Sequence, residues 1–340
     1  MEIFFEFEKP IVSLEKKLQE LREMEQSDGV DFKDEIQNLE KKLLKLIEET
    51  SAKLTTWQRV QLSRHPNRPY MMDYVESIFP DFQELHGDRV FGDDAALICG
   101  TATFDHTGKK TPLMIIGHQK GRTTKQKVER NFGMARPEGY RKAIRMFELA
   151  ERFRMPVITL IDTPGAYPGM DAEERGQSQA IAESIRTMFS LTVPICSIVI
   201  GEGGSGGALA IGIGNQVLMQ EFSTYSVISP ESCASILWSD SSLAERAADR
   251  LKITAKDLDK MGLIDSIIPE PSGGAHRDSA AAIGQLKLTV ENFLSKCSKQ
   301  NFKSPTSPES KSIQMDRIEK FRKMGNFAIK TVDSNQGGSK

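Results

Sequence analysis

At 340 residues, 39% of them hydrophobic, the chain is long enough for one large domain or two ordinary ones with a sizeable core. Its 45 basic and 47 acidic side chains nearly cancel, which excludes wholesale nucleic-acid binding but leaves room for a local basic patch. The four cysteines, Cys99, Cys196, Cys233 and Cys297, form no Cys-x-x-Cys pair, so no zinc ribbon is expected in this chain. Three of them lie in apolar or mixed segments and read as buried thiols of a reducing compartment.

The first residues, Met1–Glu8, are acidic where a secretion signal would be basic. No apolar run reaches the ~18 residues that a membrane span needs. A cytoplasmic protein without membrane association is expected. Residues 1–55 read as a helical hairpin: Leu14, Leu18 and Leu21, then Ile36, Leu39, Leu43, Leu46 and Ile47, recur at helical spacing on either side of Ser27-Asp28-Gly29. Such a narrow stripe covers either the chain's own core or another subunit.

Residues 56–295 read as one α/β domain. Three strand signals, Leu113–Gly117, Val157–Ile161 and Ile195–Ile200, lie about 40 residues apart, the spacing of repeated β–β–α or β–α–β units. Helices are expected over Tyr140–Phe153 and Glu173–Leu191, with Asp171 as N-cap of the second. A further strand is expected at Tyr225–Ile228. Residues 296–340 read as a flexible linker around Lys303–Ser310, one short basic helix over Met315–Met324, and a disordered tail from Asp333.

The densest chemical signal is Gly201-Glu202-Gly203-Gly204-Ser205-Gly206-Gly207, between a β-branched strand and a small-residue helix. Glycine lets main chain approach a ligand with no Cβ in the way, and N–H groups opening a helix are unpaired donors suited to an anionic oxygen. The run also satisfies the Gly-x-Ser-x-Gly pattern of a hydrolase elbow, but one histidine follows it, His276, in a loop-like segment unsuited to a fixed base. Asp162-Thr163-Pro164-Gly165 mimics a GTPase motif but lacks an upstream phosphate-binding loop. It reads instead as a tight turn at a strand's C-terminal end, where α/β sheets place ligands, with Asp162 either facing the ligand or bonding its own loop.

The stretch Lys120, Arg122, Lys125, Lys127, Arg130, Arg136, Arg141, Lys142 and Arg145 is strongly basic. It suits a phosphorylated ligand such as coenzyme A, an acidic partner protein, or a solvated helix face. It lacks the aromatic interleaving of an RNA-stacking surface. His65, His86, His106 and His118 show no metal spacing.

Taken together in order, several strings resemble the α-subunit family of multi-subunit acetyl-coenzyme A carboxylase carboxyltransferases. They are Arg68-Pro69-Tyr70, Glu84–Arg89, Ile116–Arg122, Pro137–Ala143, Ile161–Gly169, Glu173–Gln177, the glycine run, Tyr225–Glu231 and Ile264–Pro271. The resemblance covers about residues 3–295 and returns near 315–327. It implies a crotonase-like superhelix of β–β–α units and transfer of a carboxyl group from carboxybiotin, on a biotin carboxyl carrier protein, to acetyl-coenzyme A, giving malonyl-coenzyme A for fatty-acid synthesis. It implies an α₂β₂ assembly with a zinc-ribbon β subunit, alongside a biotin carboxylase.

By that resemblance Gly206 and Gly207 supply a main-chain oxyanion hole for biotin. Gly203, Gly204, Asp162, Gly165, Lys120 and Arg122 are the expected substrate-binding residues, with Gly203 and Gly204 shaping the turn rather than contacting the oxygen. No metal and no covalently bound cofactor is implied here. Two departures, Ala135-Arg136 in place of the usual Pro-x and Ser232 in place of glycine, put loop geometry in question. The alternatives are another crotonase-like acyl-coenzyme A enzyme, or a non-catalytic scaffold binding RNA or protein through residues 118–145.

Overall fold

The computed structural model describes residues 3–28, 32–106 and 109–325. The tail expected to be disordered, from Asp333, and Gly29 of the expected hairpin break lie outside them. Two long helices open the chain, α1 (Lys9–Asp28) and α2 (Lys33–Lys53), then two short ones, α3 (Thr56–Ser63) and α4 (Met71–Ile78). Leu18 of α1 and Ile36, Leu39 and Ile47 of α2 are buried, and Arg22 pairs with Glu40 across the hairpin at 2.6 Å. His276 meets the Glu8 carboxylate at 2.8 Å, and Arg277 pairs with Glu15, so the hairpin is fastened to the body of the same chain.

One sheet holds the eight strands found among the described residues. They are β1 (Gln83–Glu84), β2 (Leu97–His106), β3 (Lys109–His118), β4 (Val157–Thr163), β5 (Ile195–Gly204), β6 (Gln216–Gln220), β7 (Thr224–Ser226) and β8 (Ser266–Ile268). The order is β1-β2-β3-β4-β5-β6-β8, antiparallel up to β3 and parallel from there, with β7 beside the end of β5.

Between and after the strands lie α5 (Thr124–Glu129), α6 (Pro137–Phe153), α7 (Met170–Glu174), α8 (Gln177–Ser190), α9 (Ser205–Leu209) and α10 (Pro230–Trp238). They are followed by α11 (Ala244–Leu251), α12 (Ala255–Lys260), α13 (Ser279–Ser298) and α14 (Pro308–Arg322).

Both faces of the parallel region are covered, which is why its strands are continuous apolar runs rather than alternating ones. Met114, Ile116, Val157, Ile161, Ile195 and Val199 pack with Tyr140, Met146 and Phe147 of α6. The residues between them, Ile115, Ile158, Leu160, Ile198 and Ile200, pack with Tyr74 of α4 and Leu286, Val290 and Phe293 of α13. Burying each such side chain stabilises the fold by roughly 1.5–3 kcal/mol.

Three expectations need correction. The helix expected over Glu173–Leu191 is two helices, because Gly176 takes a left-handed φ of +82° and starts α8 afresh. Asp171 is not an N-cap: Gly169 precedes α7, and the Asp171 carboxylate pairs with Arg136 at 2.6 Å. The last helix begins at Pro308, inside the expected linker, with the Ser307 hydroxyl accepting from Ser310 N–H as its cap. It is docked on the body through Arg317, a buried guanidinium that donates to the Val193 carbonyl at 3.3 Å, to Asn215 Oδ1 at 2.6 Å and to the Leu191 carbonyl.

Candidate active site at the ends of the parallel strands

β5 outruns its neighbour. It pairs with β6 only as far as Val199↔Met219, and its last residues, Glu202–Gly204, pair with β7 instead. The chain then turns at Ser205, whose φ of +51° is left-handed, and opens the short helix α9. The glycines along this path are packed from different sides. A Cβ at Gly203 would stand 2.8 Å from the Tyr225 ring, and one at Gly204 would overlap the Pro164 carbonyl. One at Gly207 would stand 2.5 Å from Ala166 N and from the Gly165 carbonyl carbon.

Gly206 differs from its neighbours. A Cβ there would meet only the Ile181 side chain, at 3.5 Å, an ordinary contact. The absence of a side chain at 206 is therefore not required by this chain's own packing. Opening α9, the N–H groups of Gly206 and Gly207 have no acceptor inside the helix. Gly165, with φ +153°, is locked by the Thr163 hydroxyl, which donates to its carbonyl at 2.7 Å and accepts from its N–H at 3.1 Å. A small cleft beside the turn is lined by Arg64, Pro164, Gly203, Gly204, Ser226 and Pro230. Nearby apolar side chains are exposed, Val227 at 77% and Ile236 at 72%.

Beneath the turn lies a line of charges. The Lys120 ammonium stands 2.8 Å from Asp162 Oδ1 and 2.8 Å from Glu202 Oε1. Arg64 Nε donates to Glu202 Oε2 at 2.7 Å and its other arm to Glu231 Oε1 at 2.5 Å. Burial works against the Lys120 charge, but the two carboxylates outweigh it and hold the ammonium above its usual range. Burial pushes the Glu202 carboxyl up, and Lys120 and Arg64 more than reverse it, leaving it ionised below its usual range. For Asp162 burial prevails and the carboxyl is raised.

Several expected site residues are held by these contacts. Lys120 and Asp162 are brought together, but their charged atoms are spent on each other and on Glu202. Arg122 stacks on the Tyr70 ring at 4.5 Å and bonds Asp73 at 2.5 Å and the Pro66 carbonyl at 2.7 Å, fastening the loop after β3 to the chain before α4.

Most of the basic stretch is consumed in the same way. Arg136 pairs with Asp171, Arg141 with Asp88 and Glu138, and Lys142 with Asp93, while Arg130 and Arg145 bond main-chain carbonyls. Its charge was legible in the sequence, whereas its partners Asp88, Asp93 and Asp171, distant along the chain, were not. Arg64 was not singled out, and Glu231 entered only as the end of the string Tyr225–Glu231, with no role assigned. Glu202 offered one signal, as the single acid within a glycine run.

None of the histidine side chains among the described residues is placed as a base for the hydrolase pattern. His276 is bound to Glu8 and lies tilted against the His65 ring at 4.2 Å, and His86 bonds Asp93. His118 is fully buried with neither ring nitrogen partnered, and burial lowers it to about 3.

A family model described as "Acetyl co-enzyme A carboxylase carboxyltransferase-like" matches residues 4–325. The chain is 52% identical over 328 residues to the "Acetyl-coenzyme A carboxylase carboxyl transferase subunit alpha" of a Geobacillus species, covering 96% of this chain and 97% of that one. It is 53% identical to the same subunit of Geobacter metallireducens, over 95% and 98% of the two chains. Among solved structures it resembles transcarboxylase 12S, with a TM-score of 0.55 at 17% identity, over 71% of this chain and 44% of that one. It also resembles a chain of a Pseudomonas malonate decarboxylase hetero-tetramer, with a TM-score of 0.53 at 15% identity, over 73% and 94%. These likenesses show a shared crotonase-like α/β fold. No helix among the described residues is long and apolar enough to cross a membrane.

Proposed function

The chain belongs to the acetyl co-enzyme A carboxylase carboxyltransferase-like family, and from that premise we propose how its site works. It is the α subunit of a multi-subunit carboxyltransferase, which moves the carboxyl group of carboxybiotin to acetyl-coenzyme A to give malonyl-coenzyme A. Carboxybiotin, presented on a carrier protein, is the carboxyl donor. As the carboxyl group departs, negative charge gathers on the ureido oxygen. The N–H groups of Gly206 and Gly207 donate to that oxygen, and the loss of one such donor typically costs ~10²–10³ in rate.

The observation that carries this reading is the bare main chain at Gly206. The turn is crowded at 203, 204 and 207 but open at 206, where a Cβ would enter the space a ligand needs. Gly204 and Gly165 hold the turn against the loop after β4, and Gly203 lets Tyr225 of β7 pack against it. Since the departing biotin nitrogen can itself take the proton from the acetyl methyl group, no side-chain base is needed, in keeping with Ser205 lacking a histidine partner.

A β subunit bearing the zinc ribbon completes the site in an α₂β₂ assembly, and its surface covers the exposed Val227 and Ile236. The biotin carboxyl carrier protein and biotin carboxylase are the further partners, in the cytoplasm. The test is reconstitution: the chain alone gives no transfer, and adding the β subunit yields malonyl-coenzyme A-dependent carboxylation of biocytin. An inert pair, or a fully active lone chain, sinks the proposal.

A further inference from the structure

β5 carries a bulge just before the glycine turn. Its ladder with β4 runs in step as far as Ile161↔Val199 and resumes at Thr163↔Gly203, so four residues of β5 advance against two of β4. Extra residues in one strand bend it and leave main-chain groups without ladder partners. Here side chains take them. The Asp162 carboxylate accepts from Glu202 N–H at 3.0 Å. The Ile200 carbonyl accepts from Arg68 at 2.9 Å, and Arg68 is itself buried against Glu270 at 2.8 Å. Gly201, between them, lies so close to Asp162 that a Cβ there would overlap its carboxylate.

We infer that Asp162 and Lys120 are positioning residues: they clamp this bulge and so aim the strand end that leads into α9, whose first turn carries the Gly206 and Gly207 N–H groups. The inference rests on the reading of those groups as the oxyanion hole. Asp162 holds the Glu202 main chain, and Lys120 holds both the Asp162 and the Glu202 side chains. Without the ammonium two buried carboxylates would face each other, and one would have to take up a proton or move away. Gly133 buttresses the ammonium's stem, since a Cβ there would stand 2.9 Å from Lys120 Cγ. The clamp thus reaches from the loop after β3, across the end of β4, to β5. A preorganised hole is sensitive to this, because displacing its donors by even ~1 Å forfeits much of their effect.

The experiment uses the chain assembled with its β subunit and follows malonyl-coenzyme A-dependent carboxylation of biocytin. It compares Asp162→Ala, Asp162→Asn and Lys120→Met, with amide hydrogen exchange over residues 203–208. We expect Asp162→Ala to lower kcat by ~10–100-fold with KM for malonyl-coenzyme A nearly unchanged, and to speed exchange at 203–208. Asp162→Asn keeps an acceptor for Glu202 N–H and should recover most of the loss. Lys120→Met should fall between the two, and that pair decides the matter if Asp162→Ala fails to assemble. Variants that lose thermal stability while keeping wild-type kcat and exchange overturn the inference. An inactive wild-type pair overturns the function reading instead.

Discussion

Gly207 lies against the main chain of Ala166 so closely that a Cβ at 207 would stand 2.5 Å from the Ala166 nitrogen. Backbone on both sides leaves no flexible side chain to give way. Gly207→Val should therefore fold poorly and abolish transfer together. A valine variant with wild-type melting temperature and kcat contradicts the packing described.

Gly206 makes the opposite case. Its Cβ would meet Ile181 at 3.5 Å, and alanine is favoured over glycine in a helix by ~1 kcal/mol. Gly206→Ala should leave thermal stability unchanged or slightly higher while kcat falls by ~10-fold or more. Since the chain's own packing tolerates the methyl group, the loss would report on the ligand. Retention of full kcat would remove Gly206 from the hole.

Ser205 adopts a left-handed φ of +51°, a conformation that costs a residue with a Cβ about 1 kcal/mol or more. Ser205→Gly should raise the melting temperature by relieving it. Ser205→Ala should keep most of the transferase activity, since no histidine side chain among the described residues serves the hydroxyl. Complete loss in the alanine variant would restore the serine-nucleophile reading.

Two buried histidines predict an acid limb in the stability curve. Burial holds His65 at about 4 and His118 at about 3, against ~6.5 in the unfolded chain. Between those values the unfolded chain binds protons that the folded chain refuses, so stability is lost as pH falls below ~6.5. Each histidine contributes up to about 1.4 kcal/mol per pH unit in that window. Urea denaturation at pH 7, 6 and 5 should show the decline, with a shallower slope for His65→Gln. A flat profile, or an unchanged slope in the variant, counts against it.

The docked C-terminal helix offers a further check. Replacing Arg317 removes the buried donor to the carbonyls of Leu191 and Val193 and leaves the Asn215 amide oxygen with only the Ile195 N–H, at a cost on the order of 2–3 kcal/mol. Arg317→Met should lower the melting temperature clearly while kcat at 25 °C stays near wild type. An unaltered melting temperature would return α14 to the status of an appendage.

How much of this was legible depended on the kind of signal. Val157–Ile161 and Ile195–Ile200 announced themselves as strands because both faces are buried. β6 and β8 did not, because Gln216–Gln220 opens and closes on glutamine and Ser266–Ile268 is only three residues long. α14 was placed too late, because its anchor is an arginine and no apolar stripe marks it. The glycine turn stood out from composition alone. The clamp under it could not, because Arg64, Lys120, Asp162, Glu202 and Glu231 meet only after strands far apart in the chain are laid side by side. The sequence showed Lys120 as one cation of a basic stretch, but not that Asp162 and Glu202 both pair with it.

A turn built from glycine also changes how such an enzyme must be mapped. If Gly206 and Gly207 form the proposed hole, methods that search for chemistry by trimming side chains find nothing to remove there, so a conventional truncation scan would pass over it and light up its scaffolding instead. Only additions of bulk expose it, and inactivating changes in natural variants should accordingly be gains of atoms at these two positions rather than losses.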